Sequence, residues 1–136
     1  SNVSQERLKS DVQKLVDFGT RHTLSDTISK TRGIGAARRW IKNSFDLISE
    51  DCNNCLDVFF QKNYFEKNNL RLIKNVWINN VVAIQKGLKY PNRFIIMSGD
   101  IDSRVSDPNN YLSDSPGAND NASGMAGTIE AARIFS

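Results

Sequence analysis

The sequence predicts an α/β domain, a mixed β-sheet flanked by helices, and three observations lead there. Two stretches near the start repeat apolar residues at helical spacing, and two in the middle alternate as strands do. Further on, the apolar run Ile95-Ile96-Met97 leads to two carboxylates, Asp100 and Asp102, and a Gly-rich turn around Asp120 then opens an apolar helix. At 136 residues, 39% of them hydrophobic, the chain has the length and apolar content for one core. Only three or four strands are in view, so the sheet is expected to be incomplete.

Taken in order, residues 4–18 place Leu8, Val12, Leu15 and Val16 at helical spacing, and Gly19 ends that helix. A polar loop fills 20–31. Over 32–49, Ile34, Ala37, Ile41, Phe45 and Ile48 fall on one face of a second helix. Strands are expected at 56–65, where Leu56, Val58 and Phe60 share a face, and at 71–84, where Asn79-Asn80 suggests a bulge or a break into two strands. Tyr90-Pro91-Asn92 reads as a turn before a buried strand at 93–98. Residues 99–118 form a long loop, of the kind that usually carries function or disorder. The last helix presents Met125, Ile129, Ala132 and Ile134. Trp40 and Trp77 fall in apolar patterns and read as core.

Composition excludes some classes. The net charge of +3 is spread over the chain, so no concentrated basic patch points to nucleic acid. No apolar stretch is long enough to span a membrane. The pair Cys52-Asn53-Asn54-Cys55 follows a helix and precedes a strand, the reverse of a thioredoxin-type redox motif. A zinc knuckle would need four ligands, and the chain has one histidine and no second cysteine pair. A small disulfide and two free thiols both remain open on spacing alone.

The acidic segments carry the chemistry. In open α/β sheets ligands gather outside the carboxyl ends of strands, where Asp100 and Asp120 can converge on a bound cation. Asp120, or Asn121 beside it, could equally cap the helix that follows, and spacing leaves both readings open. Asp102 would point to the same side as Asp100 if the strand persisted. Arg104 is a candidate charge balance or an exposed loop arginine, and His22 reads as a loop or capping residue.

The segments Gly99-Asp100-Ile101-Asp102-Ser103-Arg104 and Ser115-Pro116-Gly117-Ala118-Asn119-Asp120-Asn121-Ala122-Ser123-Gly124 resemble the two metal-binding segments of the secreted di-zinc aminopeptidases, the family of aminopeptidase Y and glutamate carboxypeptidase-like enzymes. Phe18-Gly19-Thr20-Arg21-His22, Gly33-Ile34-Gly35-Ala36-Ala37-Arg38-Arg39-Trp40-Ile41 and Asn80-Val81-Val82-Ala83-Ile84 fit the same family, so the resemblance spans nearly the whole chain. It implies a zinc-exopeptidase-like three-layer sandwich, of which 1–136 is the N-terminal part of the catalytic domain, ending near Ser136.

The resemblance also implies a zinc-dependent aminopeptidase with two zinc ions, acting on peptide substrates outside the cytoplasm. Asp120 would bridge the ions. Asp100 would be a metal ligand, and Asp102 would orient that ligand from behind. A cis peptide bond would follow Asp120. The chain departs from the pattern at Asp100, where most of the resembling enzymes carry histidine. An oxygen donor there makes the site harder and more tolerant of manganese or cobalt. An extracytoplasmic compartment favours the disulfide reading of Cys52 and Cys55.

The general base and the remaining ligands of that family have no match in 1–136. These residues by themselves are therefore expected to bind metal weakly, to be inactive, and to self-associate through uncovered surface. Two alternatives stand beside this reading: a glutaminyl-cyclase-like acyltransferase with one zinc, and a non-catalytic calcium-binding module using Asp100, Asp102 and Asp107. The last fails EF-hand spacing, because Arg104 sits where an oxygen ligand should be.

Overall fold

The computed structural model describes residues 2–68 and 70–136. Helix α1 (Gln5–Val16) starts at Ser4, whose hydroxyl accepts the Arg7 N–H at 3.2 Å, an ordinary N-cap. Helix α2 (Gly33–Asp51) gets no cap from its own Ncap side chain. The loop ahead of it does that work: the Phe18 carbonyl, the Ser25 hydroxyl and the Asp26 carbonyl accept the N–H groups of Gly33, Ile34 and Gly35 at 3.1, 2.9 and 3.1 Å. Three donors that a helix start leaves orphaned are thereby satisfied.

Helix α2 ends in a tight turn. Cys52 and Cys55 are joined by a disulfide, as the resemblance implies, and Asn53 and Asn54 lie in the left-handed region at φ 58° and 62°, which asparagine tolerates. The Ser49 hydroxyl accepts the Leu56 N–H at 3.0 Å and donates to the Leu56 carbonyl at 2.8 Å, fastening the first strand to the helix. Strands β1 (Leu56–Phe65) and β2 (Val76–Gln85) pair antiparallel from Leu56↔Gln85 to Phe65↔Val76. Helix α3 (Ser123–Phe135) closes the chain.

Helix α3 is central: α1 and α2 each pack on it, and α2 also carries the hairpin. The core joins Leu15 and Phe18 to Ala37, Ile41, Phe45 and Ile48 of α2 and to Met125 and Ile129 of α3. Leu56, Val58, Val81 and Ala83 close it from the sheet. The α2 stripe is the one its spacing predicts. Helices plus a sheet bear out the α/β class.

Three expectations need correction. Residues 93–98 form no strand: Phe94, Ile95 and Ile96 are 81%, 94% and 88% exposed. A continuous apolar run suits a strand with neighbours on both sides, but β1 and β2 pair only with each other, so its backbone groups find no ladder. The register of β2 runs unbroken through Asn79 and Asn80, with no bulge. Trp77 is not core. It is 56% exposed and packs on its cross-strand partner Tyr64, ring centroids 5.2 Å apart, whereas half-buried Trp40 does lean on Phe18.

Glu130 locks α3 to α1. Its carboxylate, 2% exposed, accepts from the Ser4 N–H at 2.8 Å, from both Arg7 Nε at 2.9 Å and Arg7 Nη2, and from Arg133 at 3.1 Å. Arg133 also reaches the buried Asp11 at 2.7 Å. Hydrogen bonds from Arg7, before all other causes, hold the Glu130 carboxyl down to about 2 from an ordinary 4.5. A depressed folded-state value stabilises the fold above the unfolded value, and that stability is lost as pH falls from 4.5 toward 2. Glu130→Gln is expected to remove this acid-dependent loss and to cost about 1–3 kcal/mol at neutral pH. Urea midpoints measured from pH 7 to pH 2 check both.

Candidate metal centre

The candidate site rests on a buried arginine. Arg21, two residues past Gly19, is 1% exposed. Its Nε donates to the Ile101 carbonyl at 2.9 Å, Nη1 to the carbonyls of Leu15 and Pro116 at 2.8 Å each, and Nη2 to that of Gly117 at 3.0 Å. Its backbone N–H donates to the Ser103 hydroxyl at 3.0 Å, and its carbonyl accepts the Ser103 N–H at 3.2 Å. One side chain thus joins the end of α1, the segment bearing Asp100 and Asp102, and the turn bearing Asp120. Burial pushes the guanidinium below its ordinary value while the Asp102 charge opposes that shift.

Hydroxyls tighten the same junction. Ser103 donates to the Ser115 carbonyl at 2.6 Å, the Ser115 and Thr20 hydroxyls lie 2.8 Å apart, and the Ser115 N–H reaches the Gly19 carbonyl at 2.8 Å. His22 holds the outer loop. It accepts the Leu24 N–H at Nδ1, 3.0 Å, and donates from Nε2 to the Pro108 carbonyl at 2.9 Å, so it is a buried loop residue as its position predicts. The 99–118 loop is therefore tied down at both ends and in the middle.

The Asp120 turn needs glycine at its entrance. Gly117 sits at φ 49°, ψ 45°, and a Cβ there would fall 2.5 Å from the Asp120 carbonyl oxygen and 2.6 Å from Ser103 Cβ. Its carbonyl accepts the Ala122 N–H at 3.0 Å, closing a wide turn over Ala118–Ala122. The Asp120–Asn121 peptide bond is cis, as the resemblance implies. Asn121 supplies the cap, its Oδ1 accepting the Gly124 N–H at 3.2 Å. Of the two capping candidates the helix uses the amide, and the Asp120 carboxylate has no hydrogen bond or ion pair among the described residues.

Asp100 is also exposed and also without such a partner among the described residues. The chain just before it presses against the start of α3. A Cβ on Gly99 would lie 2.9 Å from the Gly124 carbonyl and from Met125 Cα. Asp102 is exposed, with its charge acting on Arg21. Arg104 is an exposed loop arginine, and Asp107 closes its own turn by accepting the Asn109 N–H at 2.9 Å. Among the described residues no three acidic, histidine or cysteine side chains come close enough together to hold a metal ion. The free oxygens of Asp100 and Asp120 suit zinc in kind, and they fall short of its usual four ligands in number.

Sequence reasoning missed Arg21. It sits in a polar loop among Thr20, His22 and Thr23, where an arginine reads as solvated. Its partners are backbone carbonyls, which leave no trace in residue type.

An α/β chain whose two acidic segments meet over a buried arginine is consistent with the metallopeptidase resemblance. Residues 80–136 match the model of peptidase family M28. Similarity to individual proteins extends further. Over 133 residues, 98% of this chain, it is 46% identical to a protein of Pyrenophora teres f. teres named probable zinc metalloprotease, covering 27% of that protein. It is 47% identical over 133 residues to one so named from Pyricularia oryzae, covering 98% of this chain and 26% of the relative. A third, from Pyrenophora tritici-repentis, is 42% identical over 138 residues, covering 99% and 31% respectively. The chain thus spans about a quarter to a third of the length of these relatives. No solved structure matches it.

Arg21→Lys is expected to destabilise the fold by more than about 3 kcal/mol, because one ammonium cannot replace a fork that serves several buried carbonyls. Hydrogen exchange checks the location of the damage. The Ser103 and Ser115 amides should lose protection first, ahead of those in the middle of α2.

Proposed function

We propose that this chain is part of a zinc-dependent aminopeptidase and that Asp100 and Asp120 are its contribution to the metal site. The observation that carries the reading is the division of labour in the Asp120 turn. Asn121 takes the helix amide, and the Asp120 carboxylate is left unengaged beside a junction that also fixes the Asp100 segment. The M28 match over 80–136 and the names of the relatives support the same chemistry.

In this reading Asp100 and Asp120 would help to hold two zinc ions, with other divalent transition metals able to substitute. The remaining ligands come from sequence the longer relatives possess. Bound zinc supplies polarisation of the scissile carbonyl and a water acidic enough to lose its proton near neutral pH. Asp102 acts through Arg21: its charge steadies the buried guanidinium that holds the Ile101 and Gly117 carbonyls, and so holds both ligands in place. Glu130 is not the general base, since two arginines occupy it inside the α1–α3 contact. The Cys52–Cys55 disulfide supports an extracytoplasmic location.

The test uses the full-length protein. Zinc content is expected to fall in Asp120→Asn with the fold intact. Peptide hydrolysis should drop by more than about a hundredfold, the upper range for disturbing even an outer-shell partner of a metal site. Peptides with a free N-terminus should be cleaved one residue at a time, and their N-acetylated counterparts should resist. Cleavage of the acetylated peptides, or full activity in Asp120→Asn, overturns the aminopeptidase reading or the ligand assignment respectively.

A further inference from the structure

The hairpin packs on the core through only part of β1 and β2. Leu56 and Val58 of β1 pack on the core, whereas Lys62 and Tyr64, further along the same face, are exposed. Together with the loop 23–28 and the Tyr111–Leu112 segment, both line a cleft of about 920 Å³. Three cations line it: Arg38 from α2, Lys62 from β1 and Lys74 from the hairpin end.

None of the three has a carboxylate partner among the described residues. Arg38 is half-buried, and with the Asn79 amide oriented oxygen-inward its hydrogen bond is to that oxygen at 3.3 Å. Lys74 lies 4.0 Å above the Tyr111 ring, held by a π-face and not by an acid. Asp26 also lines the cleft, but its carboxylate already accepts the N–H groups of Ile28 and Ser29 at 2.6 and 2.8 Å. Tyr64 and Trp77, 47% and 56% exposed, add an uncovered aromatic wall. Uncommitted positive charge beside exposed rings asks for a ligand with both an anion and an apolar body.

We propose that this cleft binds an acidic peptide segment, its carboxylates on Arg38, Lys62 and Lys74 and its apolar side chains against Tyr64 and Trp77. The number of cations favours a peptide over nucleic acid. Three charges neutralise too few phosphates for strong polyanion binding, whereas they suit two or three carboxylates. The proposal does not rest on peptidase activity, since binding here requires neither metal nor turnover.

The test is a titration of the metal-free protein, following Trp77 fluorescence with Trp40→Phe as background. The probes are a short Glu/Phe peptide, its Lys/Phe counterpart and a single-stranded oligonucleotide. The acidic peptide is expected to bind at least about tenfold more tightly than the basic one, and to weaken as salt is raised. Lys62→Glu with Lys74→Glu, both exposed positions, should raise its Kd by about tenfold or more while circular dichroism stays unchanged. Equal binding of the two peptides, no response to the double reversal, or no binding at millimolar peptide overturns the proposal. Preference for the oligonucleotide would replace it with a nucleic-acid surface.

Discussion

A buried guanidinium without a carboxylate directly bonded to it sets the terms for this structure. Arg21 cannot be deprotonated at any ordinary pH, so the fold must supply acceptors for its donors or bear a heavy desolvation cost. It supplies four backbone carbonyls, from Leu15, Ile101, Pro116 and Gly117. Carbonyls can serve only if their peptide planes are turned toward one point. That requirement fixes the end of α1 and both acidic segments in mutual register. The hydroxyls of Thr20, Ser103 and Ser115 then fill in around a geometry already decided.

The rest of the architecture supports that junction from one side. Helix α3 grows directly out of the Asp120 turn, so whatever holds α3 also holds the turn. Two kinds of force do so. Met125, Ala126 and Ile129 are sealed in the core, and Glu130 and Arg133 clasp Ser4, Arg7 and Asp11 across the helix pair. A more exposed pair such as Arg32–Asp114 contributes little by comparison, because water screens it. The sheet is the more peripheral partner, touching the core through alternate residues of its first half.

Sequence alone made the helices legible, for a physical reason. An amphipathic helix buries a stripe defined by its own spacing, and Ile34, Ala37, Ile41, Phe45 and Ile48 all turn inward as that spacing requires. Strands are different, because a strand exists only with a neighbour. The run Phe94–Met97 has strand composition and no strand partner among the described residues, and Trp77 has an apolar side chain on an exposed part of the hairpin. At the site, the carboxylates and the glycine were visible as residue types in a motif. The role of the arginine beneath them was not, because side chain to backbone bonding depends on where carbonyls point, and the sequence does not record that. The division between Asn121 as cap and Asp120 as free carboxylate was likewise undecidable from spacing, since either side chain can accept an amide.

The contact between Gly99 and the start of α3 has a consequence for how this protein can change over time. Where two segments meet through side chains, a substitution on one can be absorbed by a new rotamer on the other, and the gap drifts by fractions of an ångström. Here peptide plane meets peptide plane, and a single added carbon at 99 would arrive 2.9 Å from main-chain atoms that have nowhere to turn. A core tolerates compensating side-chain swaps, but this seam of backbone against backbone does not. Divergence in the surrounding helices can therefore proceed while the separation of the two acidic segments stays that of the ancestor.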